Sequence, residues 1–273
     1  MVSQQPAPAR LSRFEGHVCI VTGAGQGIGR ASALRLAAEG GTIVIAERIE
    51  ATAVETTALV AASGVAARTV IADVSIPEEA QRLMRETIDA FGRIDVLVNC
   101  VGGTIWWQPF HEYTVPQIML ELERSLHTTL WCCNAVLPHM LLQGSGSIVN
   151  LGSSVTKGGL FRVPYAVSKG GVEALTSTLA AEYGGRGIRV NGVSPGTTII
   201  QDRKTSRLTL RPGEEAHAIP GTPERVKEAR RLQQNMLERD GTPEEIAAAI
   251  AFLASQDASF ITGHMIDCSG GSR

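Results

Sequence analysis

Tyr165 and Lys169 lie four residues apart in the stretch Tyr165-Ala-Val-Ser-Lys169. On a helix, residues with this spacing share one face. A phenol has a reference pKa of about 10, and a fixed cation within about 4–6 Å lowers it. Such a tyrosine can accept or return a hydroxyl proton near neutral pH. The same spacing also occurs on solvated helices, so the surrounding elements must decide between the two interpretations.

The composition excludes several classes of protein. The chain has 273 residues, of which 44% are hydrophobic, and a net charge of −2. A near-neutral charge without a basic block argues against nucleic acid as a partner, and the apolar runs are too short to cross a membrane. The polar segment 1–13 is typical of a flexible tail rather than a signal peptide. We therefore expect a cytoplasmic protein without a nucleic-acid or membrane partner.

The cysteines and histidines predict no metal site. The chain has five cysteines, an odd number, and no CxxC pair. Reduced, buried thiols fit this pattern better than disulfides or zinc ligands. The histidines show no metal-binding spacing with carboxylates.

Short apolar runs alternate with helical patterns along the whole chain. Strands are predicted at 17–22, 42–46, 67–72, 94–98, 147–151, 188–193 and 263–267, and helices at 30–39, 51–63, 77–92, 115–143, 164–183 and 243–255. This alternation is typical of a parallel sheet with right-handed crossovers, and apolar strands indicate that both faces are covered. The sequence predicts one doubly wound α/β (Rossmann) domain over residues 14–273, with a seven-stranded parallel sheet and helices on both faces.

A glycine-rich turn follows the first predicted strand. Its glycines are Gly23, Gly27 and Gly29, and the strict GxGxxG spacing is not met. Glycines at this position let the backbone approach a pyrophosphate, which then rests on the N-terminus of the next helix. A tight turn without a ligand is the alternative.

An acid at the end of the second strand bears on that choice. Glu47 follows Gly27 by 20 residues, where a carboxylate can accept hydrogen bonds from the ribose hydroxyls of an adenosine. The carboxylate would repel a 2′-phosphate, and the neutral Gln26 adds no cation, so NAD is favoured over NADP. Arg48 would partly offset this preference, and a plain surface acid remains the alternative.

Six segments together resemble the short-chain dehydrogenase/reductase family, from about Phe14 to Gly271. They are Thr22-Gly-Ala-Gly-Gln-Gly-Ile-Gly29, Asp73-Val74, Asn99-Cys-Val-Gly102, Ser153, Tyr165-xxx-Lys169 and Pro195-Gly196. The resemblance implies an NAD-dependent oxidoreductase that forms a homo-oligomer, commonly a tetramer. It implies a cofactor site made of Gly23, Gln26, Gly27, Ile28, Gly29, Glu47, Asp73, Val74, Asn99, Gly102, Tyr165, Lys169, Pro195, Gly196 and Thr198.

The resemblance also implies the catalytic roles. Tyr165 takes the proton of the substrate hydroxyl, and Lys169 lowers the pKa of Tyr165 and binds the nicotinamide ribose. Ser153 positions the hydroxyl, with Ser154 as the alternative. Where the family often has an asparagine that completes a proton relay, this chain has Ser125.

A narrower resemblance concerns the middle of the chain. The segments Val101-Gly-Gly-Thr, Arg124-Ser-Leu, Leu130–Met140 and Arg162–Gly171 resemble the benzoate cis-diol dehydrogenases of aromatic-compound degradation. Those enzymes oxidise 1,6-dihydroxycyclohexa-2,4-diene-1-carboxylate with NAD, giving catechol and carbon dioxide. A cumate or toluate diol, another alcohol, and an NADPH-linked reduction of 3-oxoacyl thioesters are alternatives. A cofactor-binding regulator without catalysis is an alternative of another class.

Three features are candidates for contact with the substrate. Arg162 could hold a carboxylate through its planar fork, or form an ion pair at the surface or an interface. Trp106 and Trp107 could line the pocket around the ring of the substrate, or they could be aromatic residues of the core or of a subunit interface. The segment 197–235 could form a mobile lid or a solvated face, and its cations include Arg203, Lys204, Arg207 and Arg211.

Overall fold

The computed structural model of the protein describes residues 12–200 and 235–271. All seven predicted strands are present, and they are β1 Val18–Thr22, β2 Thr42–Glu47, β3 Ala67–Ile71, β4 Val96–Asn99, β5 Gly146–Leu151, β6 Ile188–Pro195 and β7 Met265–Cys268. They pair in parallel in one sheet of order β3-β2-β1-β4-β5-β6-β7. The predicted fold class is confirmed.

The helices begin and end within a few residues of their predicted bounds. They are α1 Gly27–Ala38, α2 Glu50–Ala61, α3 Pro77–Phe91, α4 Val115–Leu122, α5 Thr128–Gln143, α6 Val163–Tyr183 and α7 Pro243–Ala254. The helix predicted over 115–143 has these outer bounds, but it is not α-helical throughout, because a π-helical turn at Glu123–His127 lies between α4 and α5. Such turns are frequent at functional sites.

Two apolar cores cover the two faces of the sheet. Ile20 of β1 belongs to one core together with Leu83 of α3 and Met140 of α5. The next residue, Val21, belongs to the other core together with Leu36 of α1. Successive side chains of a strand point to opposite faces, so apolar strands buried on both sides need helices on both sides.

The strand order places a crevice at the middle of the sheet. From β1 the chain moves outward through β2 and β3, and then returns to β4 on the other side of β1. Ligands of open α/β sheets bind outside the carboxyl ends of the strands at such a reversal. The turns after β1, β4 and β5 meet there.

The ends of the predicted domain lie partly outside the described residues. Most of the predicted tail, 1–11, is outside them, and so is the part of the predicted lid at 201–234 that contains the four cations named above. Arg13, assigned to the tail, belongs to the fold, because its guanidinium donates to Glu39 at 2.6 Å and to Asp257 at 2.8 Å. Within residues 12–200 and 235–271, no helix is long and apolar enough to span a membrane.

Candidate active site

A cavity of about 410 Å³ opens at the carboxyl ends of the central strands. The residues predicted for the site that line it are Gly23, Gln26, Gly27, Ile28, Gly29, Glu47, Asp73, Val74, Gly102, Ser153, Arg162, Tyr165, Pro195, Gly196 and Thr198. The fold therefore brings together residues that span most of the chain. Lys169, Asn99 and Trp106 are outside this lining.

The glycine turn closes tightly against the start of α1. A Cβ on Gly29 would lie 2.1 Å from the carbonyl oxygen of Gly23, so only glycine fits. Gly27 has a φ of +56°, and a Cβ there would lie 2.7 Å from Ile200 Cδ1. Gln26, the N-cap residue, makes no side-chain capping hydrogen bond to α1. The helix thus presents its first amides and its positive dipole to the cavity.

Glu47 stands at one end of the cavity in a fixed orientation. Its Oε2 accepts a hydrogen bond from the Gly25 amide at 3.1 Å. Its Oε1 accepts from the amides of Arg48 and Ile49, at 2.9 and 3.3 Å. The carboxylate is therefore held at the end of β2 by three backbone groups.

Asp73 lies at the same end of the cavity, after β3. Its Oδ1 accepts hydrogen bonds from the Ser75 amide at 3.1 Å and from the Ser75 hydroxyl at 2.5 Å. Among the described lining residues, Glu47 and Asp73 are the acids, so the negative charge of the lining gathers at this end.

Tyr165 and Lys169 share one face of α6, as their spacing predicts. The Lys169 Nζ lies 5.9 Å from the centroid of the Tyr165 ring, and Tyr165 lines the cavity. Lys169 is only 1% exposed and donates a hydrogen bond from Nζ to the Leu151 carbonyl at 2.6 Å. It lies beneath the cavity floor that Gly102, Leu151 and Tyr165 form.

Burial acts strongly on that ammonium group. Desolvation lowers the pKa of Lys169 to about 8, and the nearby Cys100 opposes the change. A buried lysine with few charged neighbours shifts in this direction because the interior disfavours its charged form.

Ser153 stands across the cavity from α6, two residues after β5. Its hydroxyl accepts a hydrogen bond from the Val155 amide at 3.2 Å and caps a short 3₁₀ turn at Ser154–Lys157. This bond orients the hydroxyl oxygen. Ser154 also lines the cavity.

Ser125 lies in the π-helical turn and is fully buried. Its hydroxyl accepts from the Gly103 amide at 3.3 Å. A Cβ on Gly102, whose φ is +141°, would lie 3.3 Å from Lys169 Nζ and 3.4 Å from Ser125 Oγ. Ser125 and Lys169 therefore flank the loop after β4 from its two sides.

Asn99, predicted among the cofactor-binding residues, does not extend its side chain into the cavity. Its side chain points into the core, where Nδ2 donates to Asn150 Oδ1 at 2.9 Å and to Cys133 Sγ at 3.4 Å. Asn99 follows Leu97 by two residues, so it faces the same helical layer as that core residue. Its contribution to the site is to join the ends of β4 and β5.

The other end of the cavity is cationic and aromatic. The Arg162 guanidinium stacks over the Trp107 ring at 4.2 Å, and both line the cavity. Arg124, from the π-helical turn, and Lys157 also line the cavity. Trp106 is not in the wall: it is 0% exposed and packs with Ile105 and Tyr113, which agrees with the core alternative.

Several lining residues were not predicted as site residues from the sequence. Arg124 was noted only within a segment of resemblance, and the turn that presents it leaves no residue pattern. Others are Thr104, Lys157, Leu160, Ile200 and Asn235. Among the residues that the structure describes, no group of three or more His, Cys, Asp or Glu side chains could hold a metal ion.

Comparison with known proteins defines the class. A family model described as enoyl-(acyl carrier protein) reductase matches residues 23–273. The chain belongs to the short-chain dehydrogenase/reductase family of oxidoreductases, which bind a nicotinamide cofactor and act on small molecules.

Particular relatives extend over nearly the whole chain. The chain is 43% identical over 263 residues to a 1,6-dihydroxycyclohexa-2,4-diene-1-carboxylate dehydrogenase of Pseudomonas putida, covering 95% of this chain and 93% of that protein. The corresponding enzyme of Acinetobacter baylyi is 43% identical over 264 residues, covering 96% and 98%. A crystal structure of an NAD⁺-bound xylitol dehydrogenase matches with a TM-score of 0.82 at 30% identity, covering 95% of this chain and 100% of that one.

Proposed function

We propose that this protein oxidises a cyclic cis-diol carboxylate of the 1,6-dihydroxycyclohexa-2,4-diene-1-carboxylate type with NAD, giving a catechol and carbon dioxide. The observation that carries the proposal is the 43% identity, over nearly full length, to two enzymes named for that substrate. The cavity agrees with it, because Tyr165 and Ser153 meet there beside a cationic, aromatic end.

The described residues fit a dinucleotide. The uncapped start of α1 and the crowded glycines Gly23 and Gly29 leave room for a pyrophosphate at backbone distance. Glu47 would take the adenosine ribose and Asp73 the adenine. Pro195, Gly196 and Thr198 would border the nicotinamide, which accepts a hydride when it is bound.

Three side chains would carry the proton transfer. Tyr165 takes the proton from the oxygen of the secondary hydroxyl while the hydride leaves the carbon that bears this hydroxyl. Lys169, beneath Tyr165, favours the phenolate by its positive charge. Ser153, oriented by the Val155 amide, donates to the substrate oxygen as the carbonyl forms.

The oxidised product has its own reactivity. Oxidation of the secondary hydroxyl beside the carbon that bears the carboxylate gives a β-keto acid. Its C–C bond to the carboxylate breaks, carbon dioxide leaves, and the electron pair forms an enolate. This enolate is already the aromatic catecholate, so aromatisation drives the loss of carbon dioxide, and one proton taken up on its oxygen gives catechol.

The proton balance of this sequence is zero. The substrate anion and NAD⁺ give catechol, carbon dioxide and NADH. One proton is removed by Tyr165 and one proton is taken up by the enolate, so no net proton is released. Tyr165 can return the proton that it removed without a path to bulk solvent. This fits the position of Ser125, which stands where the family often has a relay asparagine.

The carboxylate would bind at the cationic end of the cavity. Arg162 and Trp107 line that end, Arg124 also lines the cavity, and the lining acids Glu47 and Asp73 lie at the adenosine end. A guanidinium binds a carboxylate with two parallel hydrogen bonds, and Trp107 offers an apolar face to the ring.

NAD rather than NADP is the proposed cofactor because of Glu47. Its carboxylate, held by three backbone amides, stands where a 2′-phosphate would have to lie. Titration of the protein with NAD⁺ and NADP⁺, followed by tryptophan fluorescence, should give at least tenfold tighter binding of NAD⁺. Tighter binding of NADP⁺ would overturn this choice.

A homotetramer is the proposed assembly. Apolar side chains on α4 and α6 are exposed in the single chain, with Val115 72%, Met119 52% and Val167 59% accessible. Pairing of these helices between subunits would bury them. The mass in solution by light scattering tests this.

The deciding experiment for the reaction offers NAD⁺ with the benzoate cis-diol and follows NADH, catechol and carbon dioxide together. Equal amounts of all three are expected. NADH without catechol would indicate a different diol or alcohol, and no NADH would reject the reaction.

A further inference from the structure

Phe161 has an unusual backbone conformation beside the cationic end of the cavity. Its φ is +62°, although it is not a glycine. Bulky residues rarely adopt this region, and they keep it where surrounding contacts enforce it. The next residue is Arg162, so this conformation sets the direction in which Arg162 enters the cavity wall.

The Phe161 carbonyl is held from two sides. It accepts a hydrogen bond from the Gln108 amide at 2.9 Å, and the Tyr113 hydroxyl lies 3.1 Å from it. The same hydroxyl lies 2.9 Å from the Trp106 carbonyl. Tyr113 therefore ties the segment before α6 to the loop that carries Trp107.

Glu121 holds that loop from below. It is 0% exposed, and its Oε1 accepts from the Ile105 amide at 2.7 Å and from the Trp106 amide at 3.1 Å. These two bonds satisfy amides that would otherwise be buried without a partner, which is costly, so they hold the loop in place. Glu121 belongs to α4, so the loop is fixed to a helix that packs against α6.

The three groups form one electrostatic unit. Burial raises the pKa of Tyr113, Glu121 raises it further, and Arg162 lowers it. The carboxylate and the guanidinium therefore both act on the Tyr113 hydroxyl, with opposite sign. The outcome of these contacts is the Arg162–Trp107 stack at 4.2 Å, which forms part of the cavity wall.

We propose that Tyr113 and Glu121 are positioning residues that lock the Arg162–Trp107 stack and thereby make the enzyme selective for a ring that carries a carboxylate. The proposal rests on the proposed function. A guanidinium recognises a carboxylate only when its fork is aligned with the two oxygens, so loosening the wall should weaken recognition of the acid and spare the dehydrogenation chemistry.

The test compares two substrates and two matched pairs of variants. The substrates are the benzoate cis-diol and its uncharged counterpart without the carboxylate, cis-1,2-dihydroxycyclohexa-3,5-diene. Tyr113→Phe is matched by Tyr183→Phe, and Glu121→Gln by Glu182→Gln; both controls lie near the far end of α6. The readouts are kcat/KM on each diol, the Kd for NAD⁺, and hydrogen exchange of the peptide 103–109 without substrate.

The expected result is a loss of selectivity through KM. Tyr113→Phe should lower kcat/KM for the diol acid about tenfold and change that for the neutral diol less than about twofold, with NAD⁺ binding retained. Exchange of peptide 103–109 should be faster in Tyr113→Phe and Glu121→Gln and unchanged in both controls. Arg162→Gln should lose the same selectivity directly.

Three outcomes would contradict the inference or separate it from the proposed function. Unchanged exchange in Tyr113→Phe overturns the lock. Faster exchange with an unchanged ratio of the two diols overturns its role in selectivity and leaves a structural role only. If the wild-type enzyme oxidises neither diol, the proposed function fails, and the exchange result still decides whether the lock exists.

Discussion

Replacing Lys169 by methionine should change how stability depends on pH. The Lys169 ammonium is 1% exposed, and burial lowers its pKa to about 8 from its usual value of 10.5. Below pH 8 the charged form is present in both the folded and the unfolded chain, so the folded state bears the full unfavourable desolvation. Methionine has a similar length and no charge to desolvate.

The direction and size of the effect follow from these two pKa values. Between about pH 8 and 10.5 the unfolded chain binds more protons at this position, so the free energy of unfolding of the wild type rises with pH. The separation of about 2.5 units corresponds to an upper limit of about 3 kcal/mol. The hydrogen bond from Nζ to Leu151, lost in the variant, adds an offset that is nearly constant below pH 8.

Urea unfolding of the cofactor-free protein measures this. Wild type and Lys169→Met are unfolded at pH 7, 8, 9 and 10, at one fixed protein concentration because oligomers make stability concentration-dependent. The difference in free energy of unfolding between the two proteins removes the titrations of groups that Lys169 does not influence. The free energy of unfolding of the wild type, relative to that of Lys169→Met, should rise by 1 kcal/mol or more from pH 7 to pH 10. A difference that stays constant over this range would refute the desolvation argument.

Two further predictions concern the cofactor turn and the proposed base. Tyr165→Phe should lower kcat about 10²–10⁴-fold, because general acid–base groups contribute that much, while the Kd for NAD⁺ changes little; near-normal turnover would remove Tyr165 from its role. Gly29→Ala should abolish NAD⁺ binding in a titration, because the added Cβ would lie 2.1 Å from the Gly23 carbonyl oxygen. The control is Gly185→Ala, where an added Cβ meets nothing within 4 Å. Retained NAD⁺ binding in Gly29→Ala would contradict the close fit.

Sequence patterns predicted the layers of the fold well because they depend on local periodicity. The apolar strands and the helices between them leave clear two-residue and 3.6-residue patterns, and the seven strands followed. The π-helical turn at Glu123–His127 was missed, because one wider turn leaves the apolar pattern of a long helix almost unchanged. The turn presents Arg124 to the cavity and buries Ser125.

The site was predictable where a residue type is required by geometry. Gly29 is such a position, and so is the pair Tyr165 and Lys169. Trp106 and Trp107 could not be separated, because neighbouring loop residues have no periodicity that tells which one faces the core. The left-handed conformation of Phe161 was also hidden, since it comes from contacts with residues distant in sequence rather than from a preference of phenylalanine.

The contacts of Glu47 mean that cofactor preference in this protein is not a separable trait. The carboxylate that would exclude a 2′-phosphate also accepts the amide of Gly25, inside the turn that would receive the pyrophosphate. A Cβ on Gly25 would lie 2.8 Å from Glu47 Oε2, so the two residues are also fitted to each other in space. Conversion to NADP by exchanging Glu47 alone would deprive three amides of their acceptor and loosen the shared support of both cofactor halves. A successful conversion therefore needs a second change that restores an acceptor for the turn.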